Sequence, residues 1–153
     1  MPDHIIRPAT SRDVDALAQL MVAHARYEQS IIEEEGLASR FEKHLANPDQ
    51  GLRCLVVEQN EQLVGYTTFI KQFSTWDVGF YIYLDCLYLD ESTRGQGIGQ
   101  ELMEQIRAYA SIEGCRQIQW QTPDFNTGAI KFYKRLGARA KSKERFFWEV
   151  QNP

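Results

Sequence analysis

The stretch Arg94-Gly95-Gln96-Gly97-Ile98-Gly99 constrains this chain more than any other. An apolar run, Phe80-Tyr81-Ile82-Tyr83-Leu84 and then Leu87-Tyr88-Leu89, leads into it and reads as a strand. After it, Ile98, Leu102, Ile106 and Ala110 recur every fourth residue and mark one face of a helix. A glycine-rich turn thus joins a strand to a helix N-terminus. There the first amides lack intrahelical partners and carry the positive end of the helix dipole, which suits a phosphate. Glycine lets the backbone come close to such an anion. Two common phosphate motifs fail. The dinucleotide fingerprint G-x-G-x-x-G would need a glycine where Gln100 stands, and no Lys-Ser/Thr pair follows as in a P-loop. On the hexapeptide alone, a strand-to-helix turn without a ligand stays open beside the phosphate site.

The 153 residues, 43% hydrophobic and 25% charged, suit one globular domain with its own core, spanning 1–153. A net charge of −4 gives no electrostatic support to nucleic-acid binding. Met1-Pro2-Asp3-His4 lacks the basic-then-apolar pattern of a secretion signal, and Gly65 and Asp85 interrupt the longest apolar stretches too soon for a membrane span. Cys54, Cys86 and Cys115 are odd in number and far apart, so they read as buried free thiols and the expected compartment is the cytoplasm. His4, His24 and His44 make no ligand spacing with them, and no metal is expected.

Ile5 to Pro8 reads as a first strand, and Thr10 with Asp13 as a capping box. Val14, Leu17, Met21 and Ala25 then mark a helix to about Tyr27. Leu37, Phe41 and Leu45 mark a second helix, Glu33 to Ala46. A hairpin follows, Leu52 to Glu58 and Gln62 to Lys71, then the strand Phe80 to Leu89 and the helix Gly97 to Glu113. Arg116 to Gln121 reads as a strand, Asn126 to Leu136 as a helix, and Arg145 to Val150 as a closing strand. The order is β-α-α-β-β-β-α-β-α-β.

Arg94, Gly97 and Gly99 fit the pattern [Arg/Gln]-x-x-Gly-x-[Gly/Ala], which resembles the pyrophosphate-binding motif of the GNAT acyltransferases, users of acetyl-coenzyme A. The resemblance runs from Ile5 to about Val150. It is carried by Ile6-Arg7-Pro8-Ala9-Thr10, by Leu84 to Leu89 with the glycine turn, and by Asn126 to Phe132-Tyr133-Lys134-Arg135-Leu136-Gly137-Ala138. The last block and Ala25-Arg26-Tyr27-Glu28 resemble the diamine and polyamine acetyltransferases. Ile82 to Asp90 with Trp120-Gln121-Thr122 also resembles the yeast-type histone and polyamine branch. Cys86 departs from the acidic residue common beside Asp85 in the polyamine enzymes, and the segment after Ala138 shows no clear match to their substrate-binding tail. The implied fold is α/β of the α+β type: a mixed central sheet with splayed middle strands, flanked by helices.

The same resemblance implies roles. Acetyl transfer from a thioester to an amine needs an anchored cofactor, a neutral amine, a stabilised oxyanion and a protonated leaving thiolate. Arg94, Gly95, Gln96, Gly97, Ile98 and Gly99 would hold the pyrophosphate; the backbone of Leu87, Tyr88 and Leu89 would pair with the pantetheine arm; Asn126 would add a hydrogen bond. Periodicity alone makes Leu87 and Leu89 core residues, Asn126 an N-cap and Tyr133 a packed aromatic. Within the family motif, Tyr133 is the general acid for the thiolate. Asp85 would serve as base or lead to a water relay, and Tyr27, Glu28 and Asp85 would meet a cationic amine. Packing accounts equally for Tyr27, and a solvated helix end for Glu28. Residues 1–50 hold nine acids against five Arg and Lys, which suits an amine. Residues 131–145 hold seven basic residues and one acid, either a solvated face or a seat for the coenzyme's 3′-phosphate. The implied activity is acetyl-CoA-dependent transfer by direct attack in a ternary complex to a small primary amine. Protein lysine or N-terminal acetylation and a non-catalytic coenzyme-binding module are the alternatives. Neither nucleic acid nor membrane is expected as a partner, and a homodimer is the state common among close relatives.

Overall fold

The computed structural model describes residues 3–151; residues 1, 2, 152 and 153, which the expected domain includes, lie outside them. The chain divides into two compact units, Met1–Gln121 and Thr122–Pro153. The first holds five strands in sequence order: β1 His4–Pro8, β2 Arg53–Gln59, β3 Gln62–Ser74, β4 Gly79–Leu89 and β5 Ile118–Trp120. β1 to β4 are antiparallel neighbours, and β5 pairs parallel with β4. Its helices are α1 Val14–Tyr27, α2 Leu37–Leu45 and α3 Ile98–Ile112.

Side-chain alternation along the strands divides the core between the two faces of this sheet. Cys54, Val56 and Tyr66 pack with Leu17, Leu20 and Met21 of α1 and Phe41 and Leu45 of α2; Cys86 and Tyr88 join that face. Val57 and Val64 pack with Ile98 and Leu102 of α3, and Leu87 and Leu89 join there. The four residues that mark the α3 face in sequence, Ile98, Leu102, Ile106 and Ala110, are all buried.

Arg7 pins β1 to the start of α1. Its guanidinium donates to Asp13 Oδ2 at 2.8 Å and Oδ1 at 2.9 Å, and to Glu58 Oε1 at 2.8 Å. The Thr10 amide donates to Asp13 Oδ2 at 2.7 Å, the capping contact read from the sequence. Hydrogen bonding to Arg7, above all, holds the buried Asp13 carboxyl below its ordinary range.

Two expected elements differ. The second helix starts at Leu37 rather than Glu33, because Gly36 before it takes a left-handed conformation (φ 63°). The Arg40 side chain instead ties the Glu33 and Glu35 carbonyls. In the second unit, α4 Thr127–Arg135 forms under the Asn126 cap, but Arg145 to Val150 is not a strand. A strand is half of a hydrogen-bonded ladder, and α4 is the only regular element of this unit among the described residues. Phe146, Phe147, Trp148 and Val150 are left exposed there.

Candidate active site at the open end of β4

β4 is the strand on which the site is built. Its pairing with β5 covers only Ile82, Tyr83 and Leu84; the strand then runs on to Leu89 beyond the last residue of β5. On its other side the register with β3 steps from Cys86 opposite Thr68 to Leu84 opposite Phe69, so Asp85 has no opposite residue. Asp85 is therefore a bulge at the point where the β5 ladder stops. That accounts for an acid within an apolar strand: the extra residue turns its carboxylate out of the core, and the side chain is exposed. Past it, Leu87 and Leu89 turn toward the α3 face and leave their backbone on the β5 side beyond the ladder.

The glycine turn follows directly. Gly95 (φ 85°) and Gly97 (φ 81°) both take left-handed conformations, and a Cβ built on either meets nothing within 4 Å. Conformation rather than crowding requires glycine there, and the space beside the backbone is open. The first bond of α3 runs from the Glu101 amide to the Gly97 carbonyl, with the Ile98, Gly99 and Gln100 amides ahead of it. Ile98 is buried and fixes the helix start, while Arg94, Gly95, Gln96 and Gly97 are exposed. Gln96 accepts a hydrogen bond from the Gln59 side chain at 3.2 Å.

Arg94, though exposed, folds back over β4 and the end of α1. Its Nε donates to the Leu89 carbonyl at 3.2 Å, and its guanidinium lies over Tyr27 at 4.6 Å and Tyr88 at 5.8 Å. A carbonyl has two lone pairs, so Leu89 keeps one for a further donor.

Beneath these rings lies a group that the sequence reading did not single out for the site. His24, 6% exposed, stacks on Tyr88 (centroids 5.0 Å, 24°). Its Nδ1 is 2.7 Å from the Tyr66 hydroxyl and its Nε2 2.8 Å from Glu28 Oε2. A carboxylate only accepts, so Nε2 carries the proton toward Glu28, and Nδ1 accepts from Tyr66 O–H. Cys86 packs against the cluster that holds Tyr66, and its Sγ donates to Asp85 Oδ2 at 3.7 Å. Burial first, then the charges of Asp85 and Glu28, push the Cys86 thiol up to about 12. Burial likewise raises Tyr66 and Tyr88. Cys86 is only half-buried, unlike Cys54 and Cys115, and so departs from the expectation of three buried thiols. The available signal was His24 itself, which falls seven residues after Leu17 on the apolar stripe of α1. The structure thus gathers Tyr27, Glu28, Asp85, Tyr88 and Arg94 around one end of β4.

In the second unit, Asn126 caps α4 by accepting from the Ala129 amide at 3.3 Å. Tyr133 is half-buried on that helix, its ring 5.4 Å from that of Phe132. Among the described residues no helix is long and apolar enough to cross a membrane, and no group of three or more His, Cys, Asp or Glu could hold a metal ion.

Residues 17–138 match the model of the acetyltransferase (GNAT) family. The thialysine N-epsilon-acetyltransferase of Sus scrofa is 34% identical over 151 residues, covering 91% of this chain and 86% of that protein. Among solved structures, an integron cassette protein from the mobile metagenome of V. cholerae superposes with a TM-score of 0.82 at 23% identity, over 99% of this chain and 95% of that one. A ribosomal-protein-alanine N-acetyltransferase from Brucella melitensis gives a TM-score of 0.75 at 18% identity, over 95% and 99%.

Proposed function

This chain belongs to the GNAT family of acetyltransferases and is an acetyl-CoA-dependent N-acetyltransferase; we propose that its acceptor is a small primary amine of the diamine, polyamine or aminoalkyl class. One observation carries the reading. Glu28 and Asp85, far apart in sequence, flank the same His24–Tyr66–Cys86 group beside the turn that would seat the cofactor. Two carboxylates attract a cationic amine and offer its proton a destination. The resemblance to a thialysine acetyltransferase supports the same class.

In this reading the amides at the start of α3 and the Arg94 side chain bind the pyrophosphate, and β4 backbone from Leu87 to Leu89 takes the pantetheine arm as an added strand. An amide there polarises the thioester carbonyl. The ammonium loses a proton toward Asp85; the free amine attacks the carbonyl directly in a ternary complex. Tyr133 protonates the leaving thiolate, and its phenolate is reprotonated through solvent by the proton that the nitrogen sheds as the amide forms; Asn126 steadies the cofactor arm. Tyr27 and Glu28 receive the distal end of the amine. No metal takes part.

Both units act as one domain spanning 1–153; the family match runs across their division at 121/122. The enzyme works in the cytoplasm, where its three free cysteines stay reduced. It works as a homodimer, a reading supported by the exposed Phe146, Phe147, Trp148 and Val150, apolar surface of a kind that calls for a partner.

The test is coenzyme A thiol release from acetyl-CoA against a panel of diamines, polyamines, amino acids with a side-chain amine, and a lysine peptide. Turnover of a free amine is expected. Turnover of the peptide alone would replace this reading with protein acetylation.

A further inference from the structure

We propose that His24 is a positioning residue that sets which length of diamine the site prefers, by tying the Glu28 carboxylate to β3 and β4; this rests on the small-amine reading above and deepens it. The imidazole is gripped on every side. Its Nε2 lies 2.8 Å from Glu28 Oε2, and its Nδ1 lies 2.7 Å from the Tyr66 hydroxyl. Its face stacks on Tyr88 at 5.0 Å and 24°, and Tyr66 meets it edge-on at 5.7 Å and 71°. Two strands therefore fix the ring's place and tilt, and the ring fixes the Glu28 carboxylate.

Glu28 needs such a hold because of where it stands. It follows the last residue of α1, and its amide donates to the His24 carbonyl at 3.0 Å. Directly after it, Gln29 takes a left-handed conformation (φ 57°), and the Ser30 amide turns back to the Ala25 carbonyl at 2.8 Å. The chain then leaves the helix, and residues 30–36 form neither helix nor strand. A glutamate at that exit has three side-chain torsions to explore, and ordering them at the moment of binding weakens an ion pair. The imidazole, one helical turn back, orders them in the folded protein instead. A carboxylate only accepts, so Nε2 donates to Glu28 in the neutral and in the charged ring alike. Tyr66, 3% exposed, supplies the O–H that keeps Nδ1 an acceptor in the neutral ring. The tie uses one acceptor site of the carboxylate out of about four, which leaves room for an ammonium.

Tyr88 stands between Leu87 and Leu89, whose backbone takes the cofactor arm in the proposed reading. The stack of His24 on Tyr88 thus refers the distal charge to the strand that would hold the acetyl group. A diamine bridges those two points, so a fixed spacing between them selects its length. Packing alone is a poorer account of His24. A leucine would fill the same space with no polar atom to satisfy, whereas a buried imidazole needs a partner on each nitrogen. One of those partners is a carboxylate 30% exposed, on the surface where an amine would arrive.

The test measures KM and kcat for diamines from diaminopropane to diaminohexane and for a monoamine. The proteins are wild type, His24→Gln and the pair His24→Leu/Tyr66→Phe, each with and without Glu28→Gln. Gln sets an amide N–H where Nε2 stands and an oxygen toward Tyr66, so it keeps the tie. Leu with Phe removes both partners of the buried hydrogen bond together, which spares the fold an unmatched hydroxyl. Wild type should favour one length over its neighbours, and His24→Gln should keep that optimum with KM within about twofold. The apolar pair should raise KM for the best diamine by roughly threefold, as when one long side chain must be ordered on binding, and bring the lengths together. Monoamine KM, acetyl-CoA KM and kcat should stay within about twofold of wild type. With Glu28→Gln already in place, cutting the tie should leave the diamine-to-monoamine ratio unchanged, because the tie acts only through that carboxylate. A wild type that takes diamines but is indifferent to their length overturns the proposal and leaves the small-amine reading standing. So does an apolar pair with the wild-type length preference, or a His24→Gln that behaves like the pair. A wild type that turns over no diamine removes the small-amine reading, and this proposal with it. Independently of turnover and of any variant, long-range 15N–1H spectra should place the proton of the neutral ring on Nε2. A neutral ring protonated on Nδ1 would point a lone pair at Glu28 and overturn the tie.

Discussion

Gly95 and Gly97 present bare backbone to open space, whereas His24 is buried with a named partner on each ring nitrogen. Arg94 links the two places: it belongs to the turn, yet lies over Tyr27 and over Tyr88, the ring stacked on His24. In the proposed reading the turn would recognise an anion by amides that any sequence supplies, provided glycine permits the conformation. In the same reading the cluster would recognise a cation by side chains drawn from positions 24 to 88, each fixed by its neighbours. A backbone site breaks on changes of conformation or bulk, and a side-chain site breaks on changes of protonation or charge.

The largest effect should come at the turn. Gly97→Asp forces a side chain into a left-handed position and sets a carboxylate against the pyrophosphate. Coenzyme A should then lose its stabilisation of the fold, which at a hundred times Kd amounts to about 2.7 kcal/mol. Thermal shift with acetyl-CoA, CoA, NAD and ATP reads this directly: CoA and acetyl-CoA should stabilise the wild type, and none of the four the variant. Stabilisation of the wild type by NAD or ATP alone would remove the cofactor assignment.

Next in size is a change that alters one proton and no packing. Tyr133→Phe keeps the ring beside Phe132 and removes the hydroxyl. If that hydroxyl protonates the leaving thiolate, kcat should fall by roughly 10²-fold or more while acetyl-CoA binding persists. Unchanged kcat, with chemistry limiting turnover, would make Tyr133 a packing residue only.

The same contrast explains what the sequence made legible. Glycines in a strand-turn-helix spacing, the α3 stripe and the Asn126 cap depend on neighbours within a few residues, so local pattern reveals them. Asp85 stood out as an acid in an apolar strand, but its reason, a bulge at the end of the β5 ladder, depends on registers with two other strands. His24 looks like one more member of an apolar stripe until Tyr66, forty-two positions on, meets its ring. The closing strand at 145–150 erred oppositely: its composition suits a strand, yet composition names no ladder partner, and none is formed among the described residues.

A change of stability rather than of function, and a control for both sites, lies at the Arg7 pin. Asp13→Asn removes a buried ion-pair partner and should cost about 3 kcal/mol at pH 7, with kcat and both KM values unmoved. The sign follows from the direction of its shift. The folded Asp13 titrates below its unfolded value, so its contribution is present above the ordinary carboxylate range and is lost as pH falls through the folded value. Urea unfolding of wild type and variant should therefore differ most at neutral pH and converge toward pH 2. A gap that widened on acidification would contradict the pin.

The smallest expected change separates charge from shape at the acceptor end. Glu28→Gln keeps the side chain's length and leaves an oxygen to accept from His24 Nε2, so the ring stays placed while the negative charge goes. Glu28 is partly exposed, and a pairing with an ammonium there is worth about 1 kcal/mol, or roughly fivefold. The KM for a diamine should rise by about that factor, with acetyl-CoA KM unaltered. A monoamine of equal length has no distal ammonium to lose and should be affected less. Equal losses for the two amines would mean that Glu28 does not read the distal charge; its carboxylate would then serve only the histidine, and the acceptor's second ammonium would have to be sought elsewhere on the site.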